Sequence, residues 1–345
     1  MDFGTILEWI IKSLIIVLSL TAGFAYTTLY ERKVLARMQV RIGPNRAGPL
    51  GLLQPIADGI KLIFKEDLIP AEADKFIFVL APIITVIPAL VMTAVVPWGG
   101  TINLFGRDVT LQLADLNIGV LWILSVTSIS VYGISLAGWS SNNKYAMLGG
   151  LRATAQMISY ELALGLAYVG PILLAGSMSL GAIVNAQRVL PNFILQPVAF
   201  VIYLMASLAE INRAPFDMPE AEQELTAGYH TEYSSMKFAL FFMAEYIKMV
   251  AVSMIGATLF FGGYLGPDIS LIPGIGPSLK GIAPLMGPIY LFIKTAIWMF
   301  LIIWLRATLP RIRYDRLMAL GWKVMFPLAL ANVVVTAIVI VLVGG

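Results

Sequence analysis

The chain contains no cysteine and a single histidine, His230. Without thiolates there are no disulfides, no thiolate-held iron–sulfur clusters and no cysteine nucleophile. One imidazole excludes a bis-histidine haem and a multi-histidine zinc site. Any redox role must therefore draw its electrons from a partner. Charge is scarce as well: Asp, Glu, Lys and Arg make up 12% of the 345 residues, against about 25% in a soluble domain. Hydrophobic residues reach 59% and the mean hydropathy is +0.86. They gather into runs near the ~20 residues that a bilayer crossing needs. A water-solvated globule is excluded, and an all-α polytopic membrane protein is expected.

Eight apolar spans are expected, at about 5–30, 76–96, 114–136, 152–175, 191–209, 238–261, 284–305 and 321–343, in one membrane domain covering 1–345. The first is too long and too weakly basic at its start for a cleaved signal peptide, since Asp2 and Glu8 accompany Lys12. Helices are the natural spanning element because each satisfies its own backbone in lipid. Of the 23 lysines and arginines, 17 fall in the loops after spans one, three, five and seven, and four on the other side. By the positive-inside rule those loops face the cytoplasm and both termini face away from it. No internal repeat is visible, which argues against a repeat-built transporter.

Three of the cytoplasmic loops carry information. The first, 31–75, begins Glu31-Arg32-Lys33 and turns at Gly43-Pro44-Asn45-Arg46-Ala47-Gly48-Pro49. Next comes a helical pattern with Leu52, Leu53, Ile56, Ile60, Ile63 and Phe64 on one face and Asp58, Lys61 and Lys65 on the other. That is an amphipathic helix lying in the membrane interface. It is either a surface anchor or one wall of a cavity mouth through which a lipid-soluble substrate leaves the bilayer.

The second loop, 210–237, sets six acids (Glu210, Asp217, Glu220, Glu222, Glu224 and Glu232) against one internal arginine, Arg213. Asp217, Pro219 and Glu220 fit a capping box that opens a short helix. Capping and docking to a basic partner leave several acids unaccounted for, and crowded carboxylates raise one another's pKa. Such a loop can hold protons near neutral pH. A lone loop histidine such as His230 reads as structural. The third loop, 306–323, is basic through Arg306, Arg311, Arg313, Arg316 and Lys323. It is a solvated collar, or a contact for an acidic neighbour or anionic lipid.

Ionisable residues at membrane depth cost roughly 2.5–3.5 kcal/mol to insert. Glu161, Glu245, Lys248 and Lys294 fall inside spans, with Glu210 at a span end. At 1.5 Å per residue, Glu161 lies about 13 Å and Glu245 about 10 Å from the cytoplasmic start of its span. Glu245 and Lys248 share a helix face and are placed to neutralise each other. The alternative is a proton path: three glutamates from three spans, at similar depth, beneath an acidic loop.

Residues 31–67, ERKVLARMQVRIGPNRAGPLGLLQPIADGIKLIFKED, together with 210–246, EINRAPFDMPEAEQELTAGYHTEYSSMKFALFFMAEY, and 305–323, LRATLPRIRYDRLMALGWK, carry a resemblance. The chain resembles the H-type membrane subunits of bacterial NADH–quinone oxidoreductase, respiratory complex I, the family whose counterpart is the first mitochondrially encoded subunit. The likeness runs over essentially the whole chain. It implies a multi-pass protein of the bacterial inner membrane, with periplasmic termini, that joins the redox arm to the proton-pumping arm. It implies quinone as substrate and no covalently held cofactor, with flavin and iron–sulfur clusters in hydrophilic partner subunits. Small and antiporter-like membrane subunits and lipids are the other implied partners; no nucleic acid is.

Residue by residue, the resemblance assigns Arg32, Met38, Gln39, Arg41, Asp58 and Phe242 to a quinone chamber and its mouth. It assigns Glu161, Glu210 and Glu245 to a buried glutamate path, Asp217, Glu220, Glu222 and Glu224 to the acidic loop, and Glu31 and Glu66 to acids of the first loop. Lys294, the other in-span cation, joins the expected proton path. Three rival readings stay open on sequence alone: the equivalent subunit of a membrane-bound hydrogenase-type complex, a stand-alone ion transporter, and a purely structural membrane adaptor, which leaves the three buried glutamates without a reason.

Overall fold

A computed structural model describes residues 3–104, 107–217, 227–267 and 285–344. The chain is helical almost throughout. Helix α1 runs over Phe3–Met38, α2 over Gln54–Ile63 and α3 over Lys75–Val91, the last continued by a 3-10 turn at Met92–Val95. A two-stranded antiparallel hairpin follows, β1 at Thr101–Leu104 and β2 at Arg107–Thr110, with Thr101 opposite Thr110. Then come α4 (Gly119–Ser140), α5 (Lys144–Ala175), α6 (Leu180–Ala186), α7 (Asn192–Leu195), α8 (Pro197–Glu210), α9 (Ser235–Phe260) and α10 (Met286–Thr308). The chain closes with α11 (Tyr314–Ala319), a π turn at Leu320–Met325 and α12 (Phe326–Gly344).

Seven helices among the described residues are long and apolar enough to cross a membrane. They match seven of the eight expected spans. The fifth, expected unbroken over 191–209, is instead divided at Gln196 into α7 and the 14-residue α8. Pro197 supplies the reason: it has no N–H, and its ring pushes the preceding residue out of helical geometry. Gln196 accordingly sits at φ −130°, ψ 56°. Its side chain uses the break, accepting from Asn332 Nδ2 at 2.9 Å and donating to Thr336 Oγ1 at 2.9 Å, which ties the fifth span to α12. The hairpin is a second departure, since the sequence reading places no element between spans two and three. A third is the length of α1, which carries on through Glu31 to Met38, where the first loop is expected to begin.

Helix α9 occupies the middle of the bundle, packed by α1, α3, α8 and α10, and most of its residues are buried. Helices α3, α4 and α5 lie side by side around it. Small residues permit the close approach that membrane helices need in place of a hydrophobic drive. A Cβ on Gly133 of α4 would fall 2.2 Å from Thr85 Oγ1 and 2.9 Å from the Ala81 carbonyl of α3. Helix α2 has no buried residue, and Ile56, Ile60, Ile63 and Phe64 are exposed, as an interfacial helix requires. Asp74 caps α3 by accepting from the Phe76 and Ile77 amides, at 3.2 and 3.3 Å.

His230 is buried beside the rings of Tyr229, Phe238 and Phe242, with centroids 5.0, 5.4 and 6.5 Å away. Burial lowers its pKa to about 4. The unfolded value is about 6.5, so between these limits the opened segment binds more protons than the closed one. The stability of this turn is therefore full above about pH 6.5 and falls as pH drops towards 4, by about 3 kcal/mol in all. Hydrogen exchange across 228–234, corrected for intrinsic rate, should accelerate between pH 7 and pH 5, and His230→Phe should remove most of that dependence. Gly133→Val should destabilise the bundle by about 1–3 kcal/mol through overpacking. A lowered melting temperature in detergent is the readout.

Candidate functional site

Two features stand out at the basic end of the bundle: a chain of buried ions and an apolar cavity. The ionic chain begins at Arg306 on α10, which pairs with Glu31 on α1. Arg213 Nη1 lies 3.6 Å from the same Glu31 oxygen, and its Nε lies 2.6 Å from Glu245 on α9. The Arg213 guanidinium also stands 4.5 Å from the ring centre of Tyr246. Glu31 and Arg213 are almost completely buried. Among the described residues the chain sets two cations against two anions, as burial at low dielectric demands.

The turn that delivers Arg213 is held from α5. Gln156, fully buried, donates to the Ala209 carbonyl at 2.7 Å and the Phe216 carbonyl at 2.8 Å. Phe216 packs on Tyr160, whose hydroxyl donates to the Leu317 carbonyl at 2.9 Å. The short run after α8 thus projects one arginine into the bundle between α1 and α9.

Glu210, at the end of α8, pairs with Lys248 of α9 at 3.1 Å, and Lys248 also donates to Ser130 of α4 at 3.1 Å. Both charges are buried. Glu245 and Lys248, three residues apart, therefore do not form the closed pair that their spacing suggests: each takes a different partner. Between them lies a cavity of about 30 Å³ lined by Thr85, Ser130, Glu210, Tyr229, Glu245 and Lys248. That is room for one or two waters, and the lining offers polar partners for them. Glu161 of α5 is half-buried and accepts from Ser128 of α4. Among the described residues it has no ion-pair partner.

The larger cavity, about 560 Å³, lies between α1, α9 and α10. Along α1 it reaches from Ser19 to Lys33, about 21 Å at 1.5 Å per residue. Leu20, Val250, Met254, Phe292 and Met299 make most of its lining apolar, and Tyr26, Tyr30 and Lys33 edge the basic end. Leu52, ahead of α2, lines that end and Trp98 the opposite one. Its size suits a small-molecule ligand. Among the described residues no three His, Asp or Glu side chains converge as metal ligands would.

The residues singled out from the sequence fall as follows. Arg32 pairs with Asp58 at 2.7 Å, and Gln54 donates to the same carboxylate at 3.1 Å, which ties α1 to α2. Arg41 donates to Gln39 at 2.7 Å. Met38 is exposed at the end of α1, and Phe242 lies between Phe238 and Tyr246. None of these six lines the 560 Å³ cavity. Asp217 is half-buried after Phe216, and Glu220, Glu222 and Glu224, with the expected capping box, lie outside the described residues. Glu232 accepts from Asn143 at 2.6 Å, a structural tie to the start of α5. Lys294 bonds three backbone carbonyls beyond α9 rather than a glutamate.

Sequence reasoning missed the pairing role of Arg213, the Arg306–Glu31 contact and the serines on α4. One signal was present for the first: Arg213 is the lone cation in a six-acid stretch. Nothing in spacing pointed to Ser128 or Ser130.

The family described as NADH dehydrogenase matches this chain over residues 11–337. An NADH-quinone oxidoreductase subunit of the H type from Thermomicrobium roseum is 48% identical, with 98% of each chain covered. The protein of that name in Syntrophotalea carbinolica is 52% identical over 91% of this chain and 90% of its own. One of that type in Geobacter sulfurreducens is 50% identical over 97% and 95%. Sequence identity of this order along the full length, on an all-helical membrane architecture, leaves one assignment: the chain belongs to the NADH dehydrogenase family, among its H-type NADH-quinone oxidoreductase subunits.

Proposed function

We propose that this chain is the membrane subunit of a proton-translocating NADH–quinone oxidoreductase in which a lipid-borne quinone enters the apolar cavity and its reduction is felt by the buried acids. One observation carries the reading. Tyr30 lines the cavity, and the next residue, Glu31, is buried in the ionic chain with Arg213 and Arg306. A single turn of α1 thus touches both the greasy route and the charges. The basic end of the bundle faces the cytoplasm in this reading, as the lysine and arginine distribution requires. The amphipathic α2 then lies at the mouth, floating its apolar face in the interface.

The electrons come from partner subunits. Quinone reduction consumes two electrons and two protons, so negative charge develops at the end of the quinone's route. At low dielectric such a charge acts strongly on neighbouring carboxylates. Asp217, Glu220, Glu222 and Glu224, on the acidic loop, are the first to respond. Arg213 is the pivot: it is shared by Glu31 and Glu245, so a change at either alters its hold on the other. From Glu245 the water-sized cavity leads to Glu210 and Lys248. Glu161, the member with no direct salt bridge among the described residues, is the acid best placed to take up and release a proton towards neighbouring membrane subunits. Moving one charge against 100 mV requires about 2.3 kcal/mol, so the transfer must be tightly coupled to reduction. Arg32, Gln39, Arg41 and Asp58, with Met38 and Phe242, serve as the rim through which the head group passes.

Glu161→Gln should assemble normally, because it keeps the shape and hydrogen-bonding reach of the acid; Glu245→Gln, which leaves buried Arg213 one carboxylate short, should assemble with a lowered melting temperature. Both should lower quinone reductase turnover and proton pumping together, by about tenfold or more, as loss of a charged relay group does. Proteoliposomes with a pH-sensitive dye provide the readout; full pumping in both variants removes them from the path. A photoreactive quinone analogue with a hydrophobic tail should label peptides 19–33 and 288–299 of this chain. Labelling confined to other subunits sinks the cavity assignment.

A further inference from the structure

The ammonium of Lys294 sits where a metal cation or a bound amine would sit in another protein. Helix α9 ends at Phe260, and the chain beyond it folds back through Gly262 and Gly263 at φ +72° and +52°, left-handed values that glycine adopts without strain. Those two residues turn the carbonyls of Phe261, Gly263 and Leu265 towards one point. Lys294 fills it, donating to Phe261 at 2.6 Å, to Gly263 at 2.8 Å and to Leu265. An ammonium has three donors and no acceptor, and all three are used. Two carbonyls of the α9 terminus are taken in the same manner: Gln187 donates to Thr258 at 2.9 Å and Asn192 to Leu259 at 2.8 Å. A helix end buried in the bundle cannot turn to water for these bonds, and a positive group there also meets the negative pole of the helix.

The same segment packs behind the end of the large cavity opposite Lys33, where Tyr264 meets Gly287, the residue before the cavity-lining Pro288. Pro288, Leu291 and Thr295, flanking Lys294 on α10, line the cavity there together with Trp98. Tyr290 donates to the Pro267 carbonyl at 2.7 Å, fastening the returning segment to α10. A Cβ on Gly287 would lie 3.0 Å from Gly99 Cα and 3.5 Å from Tyr264 Cβ, so the start of α10 is packed tightly against both the stretch after α3 and the returning segment. We propose that Lys294 is a built-in cation for a three-carbonyl niche, and that the niche seals the far end of the cavity against water and ions. It is a positioning residue and carries no proton; this replaces the place in the proton path expected for it. Helix C-termini and unwound carbonyls hold sodium ions or protons in transporters; here the same geometry is occupied permanently by a tethered amine. The inference rests on the chain working in an energised membrane, but not on where the quinone binds.

The test uses Lys294→Ala in the purified complex. In detergent, its melting temperature should fall by several degrees and recover with ethylammonium, which brings three N–H donors. Tetramethylammonium, with equal charge and no N–H, should not restore it. In proteoliposomes without amine, electron donor or quinone, passive proton permeability should rise several-fold over the unsubstituted complex. Absence of ethylammonium-specific recovery overturns the niche, and unchanged permeability overturns the seal. Loss of pumping with unchanged leak and unchanged melting would make Lys294 a proton carrier after all. Because the leak is read with no substrate present, failure of the quinone assignment leaves this result unaffected.

Discussion

Arg213 holds the arrangement together. A guanidinium almost wholly removed from water is tolerable only when carboxylates meet it, and here Glu31 and Glu245 do so from α1 and α9. Its planar, permanently charged fork suits two acids better than the compact ammonium of lysine would. The Tyr246 ring beneath it adds a cation–π contact. Three otherwise separate elements, α1, α9 and the turn after α8, are thereby fixed at one depth. Gln156 and Phe216 exist in this scheme to present that turn, and Arg306 to satisfy the remaining demand of Glu31.

A second constraint follows from the solvent. Lipid offers no hydrogen bonds, so each interruption of a helix must be repaired from within. The break at Gln196 is mended by Asn332 and Thr336, and the end of α9 by Gln187, Asn192 and Lys294. These amides and this amine look, in a hydropathy profile, like weak spots in apolar runs. In three dimensions they are the places where spans five, six, seven and eight are joined to each other and to α6.

Much of the architecture could be read along the chain because a membrane simplifies the reading: seven spans and the amphipathic α2 follow from runs of apolar residues and their period. The broken fifth span was legible in principle from Pro197, and the hairpin from the alternation in TINL and RDVT, but both were submerged in average hydropathy. The glutamates were found because charge in an apolar run is conspicuous. Their partners were not, since spacing along one helix favours Glu245 with Lys248 whereas packing between helices gives Glu245 to Arg213 and Glu210 to Lys248. The 560 Å³ cavity is a property of how α1, α9 and α10 diverge, which no local pattern encodes. Motif resemblance pointed to Arg32 and Asp58, which do not line the cavity, rather than to the walls at Tyr26 and Met254.

The unbroken α1 has a mechanical consequence. Its 36 residues make a rod of about 54 Å, longer than the ~30 Å hydrocarbon layer. It flanks the cavity along Ser19–Lys33, contributes Glu31 to the charge cluster and is strapped to α2 by Arg32. With no hinge between these points, a tilt provoked at one of them is delivered to the others as leverage, as along any unbroken rod.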